Sequence, residues 1–395
     1  TACLLFFQAF LLLGYLYAHI LSKCRSLSVQ VSIHAVALFA SLFFMPIGLK
    51  QLSEFNQLAP LSDILQLLVL SIGVPYFLLS STGPLVQKWL SYVYATKADF
   101  TPYKLYSLSN IGSLLALLSY PFIFEPLFSL PNQLMYWSAG YILLVVLLIA
   151  FCVQLFRLVS GVSTQQEHNK EADITHIKAF KLDWLLWLAL SAVGVILLVS
   201  ITNAMTQNIP PVPFLWILPL SLYLLTFIIS FHSPKWYVRW YWYILFVLSS
   251  FAGLLMFFIG SQFDILSQVL IYSGILLSSC MICHGELVKL KPSTDRLTLF
   301  YLNMSLGGFL GSAFVAFVAQ RFFTQFLEFP IALVAVFILL GLCTYILKSF
   351  SNNKAEKFTT LIASSCGVFA VLLVVGFVSL NQQFKENTVE LSRNF

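Results

Sequence analysis

The sequence predicts an all-α, polytopic membrane protein, and three observations carry that prediction. Hydrophobic residues make up 59% of the 395 and charged residues only 9%, for a mean hydropathy of +0.90. The apolar runs reach the roughly 20 residues needed to cross a bilayer core about 30 Å thick. Two widely separated stretches repeat one pattern of small and polar residues, so the chain reads as built twice over. No water-soluble domain of any size fits, because the longest polar interval, Arg157 to Asp183, is of loop length and has no strand or helix pattern of its own.

In order, the runs lie near 2–21, 29–49, 64–82, 104–123, 134–156, 184–204, 212–231, 238–259, 264–284, 297–319, 328–347 and 358–380, about twelve spans. Pro75, Pro121 and Pro219 fall inside runs, where neighbouring helices can satisfy the carbonyls that a proline frees. The third and fourth spans carry LLSSTGPLVQKWL and PYKLYSLSNIGSLLALLSYPFIFEP, which place Gly83, Pro84, Ser109, Asn110, Gly112 and Ala116 where lipid would favour leucine. Such residues face protein. The ninth and tenth spans carry the second copy, ICHGELVKLKPSTDRLTLFYLNMSLGGFLGSAF. Setting Tyr106 on Tyr301 lays Gly112 on Gly307 and Ala116 on Gly311, so each copy keeps a small-xxx-small pair for helix packing, with Gly83 and Gly285 preceding at similar places. The sixth span then heads the second half, and its counterpart falls upstream of Thr1. The expected architecture is a two-fold, six-plus-six repeat with the first helix missing and one extra helix at the end.

Loops after odd-numbered spans hold nearly all the lysines and arginines, from Lys23 and Arg25 to Lys354 and Lys357, whereas the other loops hold only Lys50 and Arg321. By the positive-inside rule the first set is cytoplasmic, which places Thr1 and the tail from Asn381 outside. The net charge of +6 is this bias, and no basic surface with interleaved aromatics points to nucleic acid.

A parallel six-plus-six repeat resembles the architecture of major facilitator transporters. More closely, TACLLFFQAFLLLGYLYAH, PYKLYSLSNIGSLLALLSYPFIFEP, IPPVPFLWILPLSLYLLTFIISF and CHGELVKLKPSTDRLTLFYLNMSLGG together resemble the membrane portion of bacterial fused facilitator/spermidine-synthase proteins, over nearly the whole chain. The resemblance implies a further helix before Thr1, a Rossmann-type aminopropyltransferase-like domain after Arg393, Asn394 and Phe395, a polyamine connection and a place in the bacterial inner membrane. The implied organisation is a first helical half over 1–160, a cytoplasmic linker over 161–183, a second half over 184–350, and a final helix and tail over 351–395 leading to the soluble domain.

Motifs that carry chemistry elsewhere read differently here. Cys280, Cys283 and His284 form C-x-x-C-H, but the motif closes an apolar helix on the cytoplasmic side, whereas covalent haem attachment uses a water-exposed loop in an oxidising compartment. The ligands that would complete a zinc site do not show in the sequence. Gly307, Gly308 and Gly311 lie inside a span, with no strand before and no lysine after, so they are packing glycines rather than a phosphate loop. No catalytic constellation, cofactor or metal is expected. No ionisable group sits near the middle of a span: Glu125, Glu286 and Glu328 all fall at span ends, which counts against a proton pump built on a buried carboxylate. Asn110 and Asn303 read as interhelical hydrogen bonds.

Three function classes follow: a transporter of a polyamine or other small organic cation, a non-transporting anchor for a fused synthase domain, and an intramembrane enzyme. About twelve spans with a two-fold repeat are more than anchoring requires, so transport leads. A polyamine is a chain of ammonium groups, and its binding calls for separated carboxylates with aromatic faces between them. The expected substrate-binding residues are Tyr106, Asn110, Trp216 and Tyr301 in a central cavity, with Glu125 near its outer mouth and His284 and Glu286 near its inner one. The partners expected are the lipid bilayer, the cation and the synthase-like domain.

Overall fold

In a computed structural model of the chain, the residues described are 2–24, 26–48, 60–94, 101–160, 176–208, 214–259, 264–323 and 327–348, together with 365, 369 and 376. Helices joined by short turns account for nearly all of them, and no strand occurs among the described residues. Nine helical stretches among those residues are long and apolar enough to cross a membrane. The chain is an integral, multi-pass helical membrane protein. Most of the run 358–380, most of the linker 161–183, and the segment Arg393–Phe395 lie outside the described residues.

The first unit comprises Thr1–Leu188 and Lys291–Ser312. Its helices are α1 (Ala2–Ser22), α2 (Leu27–Ser41), α3 (Pro60–Leu68), α4 (Val74–Val93), α5 (Tyr103–Ser119), α6 (Glu125–Leu127) and α7 (Leu130–Ser160). Ser26 starts α2 by accepting the Val29 amide on its hydroxyl. A π-helical turn, Val69–Gly73, joins α3 to α4 just before Pro75, and another, Tyr120–Phe124, joins α5 to α6 around Pro121. A proline has no N–H for the carbonyl one turn back and crowds it, and a π turn relieves both. The third apolar run was expected to end at residue 82, yet α4 continues to Val93 with Gln87, Lys88 and Trp89 buried. Polar residues there mark contact with protein rather than the end of the span.

Close approach of helices is clearest where α1 crosses α4. A Cβ on Gly14 would stand 2.0 Å from Ser80 Oγ and 3.0 Å from the Phe77 carbonyl oxygen, so only glycine fits. Ala18, Val31, Leu85, Trp89, Cys152 and Leu155 form a core that ties α1, α2, α4 and α7 together.

The second unit comprises Ala189–Leu290 and Ala313–Phe395. The chain enters it within α8 (His176–Asn208), followed by α9 (Phe214–His232), a 3-10 turn at Pro234–Trp236, α10 (Arg239–Ile259) and α11 (Ile265–Lys289). It then returns to the first unit as α12 (Leu297–Ala313), and goes on through a π turn at Phe314–Ala319 to α13 (Gln320–Phe322) and α14 (Glu328–Lys348). The packing of α11 against α9 and α10 is the centre of this unit, and α14 lies against α11 as well.

The segment Lys291–Ser312 belongs to the first unit because side chains stitch it there. Lys88 Nζ donates to the carbonyls of Thr294 (2.9 Å) and Asp295 (3.1 Å), and Tyr103 Oη donates to Pro292 O at 2.8 Å. Thr298 joins α1 through His19 Nδ1 (3.0 Å) and Ser22 Oγ (3.1 Å).

The register that sets Tyr106 on Tyr301 also sets Glu125–Leu127 on Gln320–Phe322, and the π turn ending at Phe124 on the one ending at Ala319. Helix, π turn and short helix therefore follow one another in the same order in both stretches, the π turns spanning five and six residues. The helix-packing residues fare unequally. Gly307 and Gly311 are buried in α12, whereas Gly112 and Ala116 are exposed and a Cβ on Gly112 would meet none of the described residues within 4 Å. The expectation that Gly112 and Ala116 pack against a partner helix is corrected: α5 is held near Tyr103 and Ser107, and its small-residue face is left uncovered by the described residues.

Candidate functional site

In the first unit, tyrosines from three helices meet. The rings of Tyr106 (α5) and Tyr301 (α12) stack at 5.1 Å and 18°, Tyr103 meets Tyr301 edge-on at 6.1 Å, and Tyr15 of α1 tilts against it at 6.3 Å. Tyr301 is 1% exposed, and its hydroxyl donates to Gln87 Oε1 of α4 at 2.7 Å. Lys291 lies 5.2 Å from the Tyr103 ring centre, and burial pulls its ammonium below the ordinary lysine range. Ring faces with hydroxyl and amide groups at their edges are the chemistry that holds an alkylammonium chain.

Of the expected residues, this cluster brings together Tyr106, Asn110 and Tyr301. The Asn110 amide donates to Tyr106 O at 2.8 Å and the Asn303 amide to Leu299 O at 2.9 Å. Each bond stays inside its own helix, so the expected interhelical role of the two asparagines is not what these amides do. Glu125 opens the short α6 and is exposed. Trp216 belongs to α9 of the second unit, where its ring is 59% exposed.

In the second unit, the end of α11 is a buried polar site. Glu286 has no exposure and accepts from Arg239 Nε (2.6 Å), Arg239 Nη2 (2.5 Å) and Tyr237 Oη (2.7 Å), with Lys289 Nζ 3.8 Å away. Lys289 also stands 4.5 Å from the Tyr237 ring centre. Burial first, and then the Glu286 charge, hold the Tyr237 phenol well above its ordinary range. Tyr237 lies flat against Gly285, where a Cβ would fall 2.3–2.5 Å from the ring. A carboxylate claimed by a bidentate guanidinium and a phenol is not free to bind a cation. Glu286 therefore clasps the α9–α10 turn onto α11, a different task from the one expected of it.

Two residues back, His284 is fully buried. Its Nδ1 lies 2.8 Å from Thr226 Oγ1, its ring stacks on Phe227 at 3.6 Å, and Tyr223 meets it edge-on at 5.0 Å. A Cβ on Gly194 of α8 would come within 3.4 Å of Nε2. Cys280 and Cys283 are buried beside it, Cys280 Sγ facing Gly194 O at 3.9 Å. Among the described residues, no three His, Cys, Asp or Glu side chains gather as a metal site would require.

Sequence reasoning missed Tyr15, Gln87, Tyr237 and Arg239, whose partners lie far along the chain. It also missed His34, which is 1% exposed inside α2 and bonded to Thr82 Oγ1 at 3.1 Å. The expectation that ionisable groups sit only at span ends is corrected by His34, whose signal was a titratable residue within an apolar run. No family model matches the chain, and no curated protein matches it.

Proposed function

We infer that the chain is a membrane-embedded transport module that moves a small organic cation, with a polyamine as the leading candidate. The observation that carries this reading is the burial of polar and titratable side chains inside apolar helices of both units: Gln87 and His34 in the first, His284 in the second. Such groups are costly in a bilayer, and an anchor has no use for them. The tyrosine cluster around Tyr301 supplies ring faces for an ammonium, each pairing contributing about 0.5–2 kcal/mol. Polyamine as the cargo, the bacterial inner membrane as the location and a spermidine-synthase-like domain beyond Phe395 rest on the family resemblance alone. The six-plus-six repeat of about twelve spans is supported by the shared register of the two helix, π-turn and helix stretches.

The test is flux of labelled spermidine into proteoliposomes. Entry above protein-free vesicles is expected, and Tyr106→Leu or Glu125→Gln should lower it by roughly threefold or more. Flux equal to that of protein-free vesicles would leave the non-transporting anchor for a fused synthase domain.

A further inference from the structure

Each unit contains one buried histidine held by a threonine, and hydrogen-bond geometry fixes where its proton is. Thr226 Oγ1 lies 2.7 Å from its own-helix carbonyl of Tyr223, and two oxygens approach that closely only with a hydrogen between them. The hydroxyl has one hydrogen, so it is spent on the carbonyl. Thr226 can then only accept from His284, whose Nδ1 carries the hydrogen. Nε2 is left as a bare lone pair, buried and without a partner among the described residues. The first unit repeats the logic with the ring reversed. Thr82 Oγ1 donates to Leu78 O at 2.7 Å, so His34 Nε2 donates to Thr82 and His34 Nδ1 is the bare, buried nitrogen.

A buried polar atom without a partner is retained at a cost, and a histidine in a span marks an ion or proton path. We propose that His34 and His284 are proton-binding sites, one in each unit, each threonine fixing the tautomer so that a single defined nitrogen takes the proton. This rests on the transport reading for its purpose, since it makes the proton the coupling ion. The step is a simple association: the bare lone pair takes a proton from water, the opposite N–H stays on its threonine, and the ring becomes an imidazolium. No bond within the protein breaks.

The surroundings decide when that happens. Around His284, α8 offers Gly194 and α9 offers Tyr223, Thr226 and Phe227, none of which carries a charge. Glu286, two residues further along α11, is held by Arg239. Around His34 stand Tyr17 of α1 and Thr82 and Trp89 of α4, with no carboxylate among them. Among the described residues, neither ring faces a free counter-charge. Protonation requires the site to open to water, which is what a carrier that binds and releases protons on alternate sides needs.

The experiment is nitrogen NMR of the full chain in lipid nanodiscs, labelled with ¹⁵N-histidine and assigned with His34→Gln and His284→Gln. Near neutral pH, His284 should show a protonated Nδ1 and a bare Nε2, His34 the reverse, and each bare nitrogen should gain a proton as the pH falls. Thr226→Val, which keeps the side-chain shape, should scramble the His284 tautomer while leaving His34 unchanged. The opposite tautomers, or bare nitrogens that never protonate while the chain stays folded, would overturn the proposal. In proteoliposomes with pyranine inside, a spermidine gradient should shift the internal pH. Spermidine flux without that shift would defeat the coupling alone, and absence of flux would defeat the transport reading, with the NMR titration still deciding the proton sites.

Discussion

Glu286 and Arg239 show how far a single residue's role depends on its partner. A carboxylate with no exposure is stable only because a guanidinium and a phenol meet it, and removing one member leaves a buried charge uncompensated. Arg239→Ala should therefore destabilise the chain by about 3 kcal/mol, seen as a lower unfolding temperature in detergent. Arg239→Gln combined with Glu286→Gln should recover much of that loss, because no charge is then left alone. Equal loss in the single and double variants would show that packing, not charge pairing, is at stake. Glu286 was legible as a polar residue at a span end. Its partner was not, because Arg239 begins the preceding helix, 47 residues away, and reads as one more cytoplasmic charge. His34 was legible in principle, since a histidine inside an apolar run is visible on inspection, but its bond to Thr82 depends on how α2 packs on α4.

At the scale of elements, hydrophobic runs marked the helices well because a bilayer forces each one to bond its own backbone. Their ends were less visible: α4 runs on to Val93 because Lys88 and Trp89 are covered by protein. The glycines divide for the same reason. Gly83 and Gly285 occupy similar places in the two copies, yet nothing lies near a Cβ on Gly83, while one on Gly285 would press into the Tyr237 ring. Gly285→Ala should cost about 1–3 kcal/mol by overpacking. Gly83→Ala should gain about 0.5–1 kcal/mol from helix propensity. Both are read from thermal unfolding, and similar shifts in the two variants would contradict the packing described. Periodicity assigned equal roles to both copies; only tertiary contact tells Gly307 and Gly311, which are buried, from Gly112 and Ala116, which are not.

For the whole molecule, composition alone made the membrane class legible, and the paired stretches made one shared local pattern of helix, π turn and short helix legible. The division of the chain was not, because α12 packs with the first unit through contacts such as Lys88 to Thr294 that no sequence pattern announces. Buried polar and titratable groups are costly in a bilayer, and they are what the proposed transport reading rests on. The direct measurement is counterflow: proteoliposomes loaded with unlabelled spermidine and diluted into a trace of labelled spermidine. A carrier that exchanges its cargo will accumulate label transiently above equilibrium and then lose it. Label that rises slowly to equilibrium, as in protein-free vesicles, would contradict transport.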